Sequence, residues 1–334
     1  MTGSSTAKFT DPQSYQAAVR PAQVEILVTA KGDFDAELTR IELPRLWMQR
    51  GRESLPRIAH STVSSERPPV FFLASSDQAA MRHSGMDVSF GEIIAVSPGS
   101  THHHRTAAPC HWATMSLPWE DLAAAGRALV GRDLTVPAVT RLLRPPVPLM
   151  SRLLSLQEAA GRLAEAAAHI LAQHEPARAL EQALVHALIM CLAESTPTQI
   201  SSGGLHHLSI VARFEELLAA NHDYPLYIAE ICAAIDVSER TLRLSCQEHL
   251  GMGPVRYLWL RRMHLAHHAL VRHATSTSTV AEIATEYGFW ELGRFSVEYR
   301  ALFGEAPSAS LRRPPEDLRK PNSHPFSFAA SEYA

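Results

Sequence analysis

One motif occurs twice in the last third of the chain, and it restricts the fold more than any composition figure does. Ala229-Glu-Ile-Cys-Ala-Ala-Ile-Asp-Val237 returns 52 residues later as Ala281-Glu-Ile-Ala-Thr-Glu-Tyr-Gly-Phe289. The spacing of Ile283, Tyr287 and Phe289 predicts one helix, and that of Phe295, Tyr299 and Leu302 predicts another. Gly288 falls between them. In a helix interior it would be about 1 kcal/mol less favourable than Ala, so it marks a tight corner instead. Beyond the corner the offset becomes 53, aligning Leu242 with Phe295, Leu250-Gly251-Met-Gly-Pro254 with Phe303-Gly304-Glu-Ala-Pro307, and Leu258 with Leu311. A unit of helix, corner, helix and Gly-x-x-Pro stop is therefore present in duplicate. Ser238, just after the first corner, is placed to cap the helix that follows.

Each unit has the form of a helix-turn-helix, in which a first helix braces a second that enters the DNA major groove. Residues 254–273 between the units predict a helix of about 30 Å, comparable with one turn of DNA, so the units can be held on one face of a duplex. The C-terminal region of about 110 residues resembles the paired helix-turn-helix domain of AraC-type (AraC/XylS) transcriptional regulators. Phe295-Ser-x-x-Tyr-Arg-x-x-Phe303-Gly304-x-x-Pro307 and Leu250-Gly251-Met-x-Pro254-x-x-Tyr257-Leu carry that resemblance. Gly91-Glu-Ile-Ile-Ala-Val-Ser-Pro98-Gly99 and Met115-Ser-Leu-Pro118 are similar to the cupin-like sensor domains of such regulators.

With 334 residues, two domains are expected. Residues 1–20, small and polar, predict a disordered start. Residues 21–148 carry short runs of strand character, among them Val24-Glu-Ile-Leu-Val-Thr and Val70-Phe-Phe-Leu-Ala, and predict a small cupin-like β-barrel sensor domain. Residues 149–195 predict a helical hairpin, broken at His174-Glu-Pro176, whose second helix is apolar nearly all round and is assigned to dimerisation. Residues 196–204 predict a linker, 205–313 the double helix-turn-helix domain, and 314–334 a loose tail. The fold class is thus α+β. No run approaches the ~18 apolar residues of a membrane span, no signal-peptide pattern opens the chain, and four scattered cysteines predict reduced thiols, so a cytoplasmic protein is expected.

Charge does not advertise nucleic acid. The net charge is −3, and residues 205–320 hold 13 Arg and Lys against 14 Asp and Glu. Distribution helps: Arg240, Arg243, Arg256, Arg261 and Arg262 fall within 23 residues. On the first recognition helix Ser238, Arg240, Thr241, Arg243, Leu244 and Gln247 are the candidate DNA contacts. Arg can pair with guanine, Gln with adenine, and Leu can meet a thymine methyl. On the second, Glu291, Leu292, Arg294 and Ser296 face outward with Gly293 and Val297, and Arg300 is placed for a phosphate.

Trp47, Phe71, Trp112 and Met115 are candidates for an effector pocket. The run His102-His103-His104 invites a metal, but only alternate residues of a strand share a face, and the segment from His60 to Leu73 supplies no cupin-type ligand cluster. A polar loop rim is the expectation there, with no metal, no cofactor and no catalytic residue. The function predicted is that of a sequence-specific DNA-binding regulator responsive to a small-molecule effector. Its partners would be a double-stranded operator, a second copy of the chain as homodimer and, in an activator, RNA polymerase, with no membrane. The alternatives are a cupin-type metalloenzyme with a DNA-binding tail, or a regulator whose N-terminal domain binds a protein.

Overall fold

The computed structural model describes residues 2–20, 22–198, 202–221, 226–272 and 278–312. The chain begins with β1 (Gly3–Phe9), α1 (Pro12–Ala18), β2 (Ala22–Val28), β3 (Ala36–Glu42), β4 (Trp47–Glu53), β5 (Arg57–Val63) and β6 (Pro69–Leu73). It continues through β7 (Met81–His83), β8 (Met86–Val88), β9 (Ile93–Ala95), β10 (Thr101–Arg105), β11 (Cys110–Ser116), α2 (Trp119–Val130) and β12 (Arg141–Arg144). A helical layer follows, α3 (Val147–Ala166), α4 (Ala168–Leu171) and α5 (His174–Ala193), then β13 (Thr196–Thr198). The remainder is helical: α6 (Ser202–Ala220), α7 (Ile228–Ala234), α8 (Glu239–His249), α9 (Pro254–Arg272), α10 (Val280–Glu286), α11 (Leu292–Phe303) and α12 (Pro307–Leu311).

The strands form two antiparallel sheets, ordered β1-β3-β4-β11-β6-β9-β12-β13 and β2-β5-β10-β7-β8. Among the described residues no ladder joins the two, so the N-terminal region is a pair of facing sheets and not the closed small barrel expected. Strand alternation sorts the side chains into layers. Ile26, Ala59, Phe71 and Trp112 meet between the sheets. Met48, Phe72, Ala113 and Met115 leave the larger sheet on its other face, against α3–α5. Leu27 and Ile58 leave the smaller sheet on its outer face and join the core of the helical C-terminal region.

Three expectations are corrected. The N-terminus is ordered: β1 pairs with β3 along its length, from Gly3 opposite Glu42 to Phe9 opposite Ala36. The start of α1 is set by Asp11, whose Oδ2 accepts from the Ser14 N–H at 2.8 Å with Pro12 in the first turn. Tyr15 then drops fully into the core. The apolar excess of α5 is used within the chain. Leu184, Leu188, Ile189 and Cys191 are buried in the layer formed with α3 and the larger sheet, so the motive for placing this helix in a subunit interface disappears. Part of the expected linker is a strand, because β13 pairs with β12 through Leu143 and Pro197. Residues 199–201 and the tail, 314–334, lie outside the described residues. All four cysteines are free, and among the described residues no helix is long and apolar enough to cross a membrane.

Candidate nucleic-acid interface

The duplicated motif folds into two copies of one device. Each first helix starts with a glutamate that bonds back to the N-cap: Glu230 Oε2 accepts from the Tyr227 N–H at 3.0 Å, and Glu282 Oε2 from the Thr279 N–H at 2.7 Å. Each is then closed by a left-handed residue, Asp236 (φ 52°) just beyond α7 and Gly288 (φ 78°) just beyond α10. The residue after the corner donates back five positions, Val237 to the Cys232 carbonyl at 3.1 Å and Phe289 to the Ala284 carbonyl at 2.9 Å. This is the Schellman closure, which satisfies carbonyls left over at a helix end. Aspartate tolerates the left-handed region better than most side chains do, and glycine best of all.

The second helix of the first unit is α8. Ser238 Oγ accepts from the Thr241 N–H at 3.1 Å and lies 2.8 Å from Thr241 Oγ1, so both side chains fix the helix start. Leu242, Ser245, Cys246 and His249 turn inward, while Arg240, Arg243, Leu244 and Gln247 are exposed. Leu244 keeps 51% of its surface in water on that outward face. Arg243 holds Glu239 at 2.9 Å and Gln247 Nε2 donates to the Gly251 carbonyl at 3.2 Å. Such exposed contacts are weak enough to be exchanged for a base edge.

In the second unit Phe295, Tyr299 and Leu302 turn inward from α11, and Glu291, Leu292, Arg294, Ser296 and Arg300 stay exposed. Two of these are partly engaged already. Arg294 Nε donates to Glu298 Oε1 at 3.0 Å, and the Ser296 hydroxyl donates to the Leu292 carbonyl at 2.9 Å. Of the five clustered arginines, two are half-buried and engaged with internal partners. Arg261 lies 3.7 Å from Glu25, and Arg262 sits over the Phe289 ring at 5.4 Å. Arg256 stacks on Trp259 at 3.9 Å, a planar cation held ready at the surface. Trp290, 79% exposed beside the second corner, is a candidate contact that the apolar-stripe reading passed over. A large aromatic off the buried stripe was the available signal.

The N-terminal region packs on the other side of these helices. His264 Nε2 meets the Val28 carbonyl at 3.1 Å, Gln13 Nε2 meets His268 Nδ1 at 2.6 Å, and the Arg105 guanidinium lies against Gly251, in the space a Cβ would take. His267 is internal, bonded to the Tyr299 hydroxyl at 2.5 Å and stacked on Phe303 at 4.3 Å.

Between the two sheets is a cavity of about 60 Å³ lined by Phe71, Trp112, Arg57, His102, His104 and others. Of the predicted effector residues Phe71 and Trp112 line it. Trp47 and Met115 do not. Met115 belongs to the opposite face of β11, and Trp47 carries the Arg67 guanidinium 4.0 Å above its ring. One polar cluster in the cavity wall centres on Glu53, which accepts from Tyr15 Oη (3.0 Å), Trp112 Nε1 (2.8 Å) and Arg57 Nε (2.7 Å). Burial, with Glu53 beside it, raises the Tyr15 hydroxyl well above its ordinary range. The histidine run is also corrected. It is strand β10, not a loop rim, and all three rings are buried. Burial pulls His102 down to about 4 and His104 well below the ordinary imidazole range.

Two helix-turn-helix units joined by the long helix α9, each presenting an exposed second helix, define the class: a double helix-turn-helix DNA-binding domain. A family described as "Helix-turn-helix domain" matches residues 231–313. The chain is 38% identical over 106 residues to the probable thc operon regulatory protein of Rhodococcus erythropolis, covering 32% of each chain. It is 31% identical over 127 residues to the XylDLEGF operon transcriptional activator of Pseudomonas putida, covering 38% of each. The chain thus spans about a third of the length of these curated relatives. A solved structure of the AraC-like transcriptional activator CuxR is similar at a TM-score of 0.41 and 15% identity, over 79% of this chain and 94% of that one. The C-terminal domain belongs to the AraC-type helix-turn-helix family.

Proposed function

We propose that the chain is a sequence-specific DNA-binding transcriptional regulator whose N-terminal domain takes a compact effector between its two sheets. The observation that carries the reading is the duplicated unit, with matching caps and corners and an exposed, Arg-bearing second helix in each copy. The buried sides of α8 and α11 supply the rigidity, and their exposed sides supply groups that read bases or hold phosphates. Arg240, Arg243, Leu244 and Gln247 are assigned to base edges, Arg294 and Trp290 to the second half-site, and Arg300 to a phosphate. Ser238 and Thr241 act by setting the start of α8.

The effector assignment rests on the cavity. Its aromatic walls, Phe71 and Trp112, lie 5.8 Å apart with rings 20° from parallel, and His102 and Arg57 supply polar groups. A volume of about 60 Å³ admits only a few heavy atoms in this packing of the sheets, so a larger effector enters by parting them. Double-stranded DNA is the partner. In this reading the protein is cytoplasmic, acts as a homodimer at its operator, and contacts RNA polymerase where it activates. The test is selection of binding sites from random duplex DNA with the full-length protein, at one fixed salt concentration. A two-part enriched motif is expected. Uniform binding of all sequences, with no enrichment, would overturn the reading.

A further inference from the structure

We propose that His60, His103 and Glu215 form a zinc site that ties the N-terminal sheet to the DNA-binding domain. Strand alternation makes the first half of the site. In β10, His102 and His104 turn toward the cavity, and His103 alone turns outward. The residue directly opposite His103 on β5 is His60, and the two rings lie 4.9 Å apart on that outer face. Helix α6 supplies the second half. Glu215 Oε1 lies 3.6 Å from His103 Nε2, adjacent but beyond hydrogen-bond range.

His103 and Glu215 are buried and His60 is half-buried, and apart from the Tyr257 hydroxyl, which bonds the Glu215 carboxylate, their donor atoms lack the partners that buried polar atoms normally have. His103 is 1% exposed and Glu215 3%. His60 Nε2, both His103 ring nitrogens and Glu215 Oε1 have no hydrogen-bond partner. Unpaired groups of this kind are costly, and one cation at their centre would satisfy a nitrogen on each ring and the carboxylate together. The neighbouring carboxylate on the same row is already engaged: Glu25, opposite His60 on β2, is held by Arg261 at 3.7 Å.

The donor set and spacing fit a transition metal. Two imidazoles and one carboxylate are a common zinc set, with a fourth position left for water. One donor atom from each residue lies within 4.8 Å of the others. Tetrahedral coordination at zinc–nitrogen distances of about 2.1 Å places donors about 3.4 Å apart, so the widest pair closes by about 1.4 Å, within reach of side-chain rotation. Two ligands come from the sheet and one from α6, the first helix of the C-terminal region. An ion there would lock the relative placement of the two parts of the chain.

The test uses the full-length protein, stripped of metal and then titrated with Zn²⁺ alone, with Co²⁺ as the spectroscopic substitute. One Zn²⁺ per chain by elemental analysis after dialysis is expected, with visible Co²⁺ bands of tetrahedral intensity and a rise in melting temperature on adding Zn²⁺. His103→Asn and the near-isosteric Glu215→Gln should each weaken binding at least tenfold and abolish the Co²⁺ bands. His174→Asn, at an exposed histidine, should change nothing. Failure of the wild type to retain zinc would overturn the site, as would full retention by a folded Glu215→Gln protein. None of these readouts involves DNA, so they succeed or fail separately from the regulatory reading.

Discussion

Replacing Gly288 tests the corner on which the second recognition helix depends. Its φ of 78° lies where an L side chain crowds the backbone, and its own N–H donates to the Thr285 carbonyl at 2.9 Å. Gly288→Ala should cost about 1–2 kcal/mol, the ordinary penalty of the left-handed region, and the β-branched Gly288→Val about 3 kcal/mol. The chain could instead abandon the two corner bonds, Gly288 to Thr285 and Phe289 to Ala284. At about 1 kcal/mol each that sets a similar ceiling, with Phe289 then leaving its contact with Phe295. A loss of about 3 kcal/mol lowers the folded-to-open ratio of this unit by more than a hundredfold. The equivalent corner gives the opposite sign. Asp236→Gly relieves strain of about 1–2 kcal/mol and adds unfolded-state entropy worth about 0.5–1 kcal/mol, so it should be neutral or mildly stabilising. Hydrogen exchange of the Phe289 amide for Gly288 variants and of the Val237 amide for Asp236→Gly, in the full-length protein and read beside operator affinity, measures both. Wild-type protection and affinity in Gly288→Val would refute the argument, and so would a loss in Asp236→Gly as large as that in Gly288→Val.

Three further outcomes are expected. Glu53→Gln strips the charge that offsets buried Arg57 and should cost about 3–5 kcal/mol, much of it regained in Glu53→Gln/Arg57→Met; urea midpoints at unchanged m-value check the cycle. Arg243→Ala should lose about 1–3 kcal/mol of operator binding and relax preference at one or two base pairs, whereas Arg300→Ala should weaken all sequences alike and reduce the salt slope by about one. Site selection on both variants at matched salt checks this, and the reverse pattern would exchange the two roles. Burial holds the His264 imidazole down to about 4, while the unfolded chain protonates it near 6.5. The stabilisation is therefore complete above about pH 6.5 and drains away as pH falls toward 4, amounting to about 2 kcal/mol between pH 7 and pH 5. His264→Gln should flatten urea-derived stability between those two pH values by that amount relative to wild type, and an unchanged slope would show that the ring does not carry it.

The C-terminal architecture was written in local chemistry. Apolar spacing, the Ser238 cap, the Gly288 corner and the Gly-x-x-Pro stops act within a few residues of themselves, so the duplicated units and the outward faces of α8 and α11 could be read without coordinates. The order of β1 and α1 was half legible, since Asp11-Pro12 is a helix start, but the partner strand that holds β1 lies more than 30 residues further on. The rest depends on register and on which surfaces meet. Alternation says that His102 and His104 share a face and His103 does not, yet it cannot say that His60 stands opposite His103 or that Glu215 arrives from a helix more than 100 residues away. Burial of α5 inside its own chain, partial burial of Arg261 and Arg262, and the turn of Met115 away from the cavity have the same origin. Local backbone preferences set the elements, because their energies act between neighbours in sequence. The packing of one sheet face against α6 and α9 set the environments of the side chains, because those energies act between segments that only the folded chain brings together.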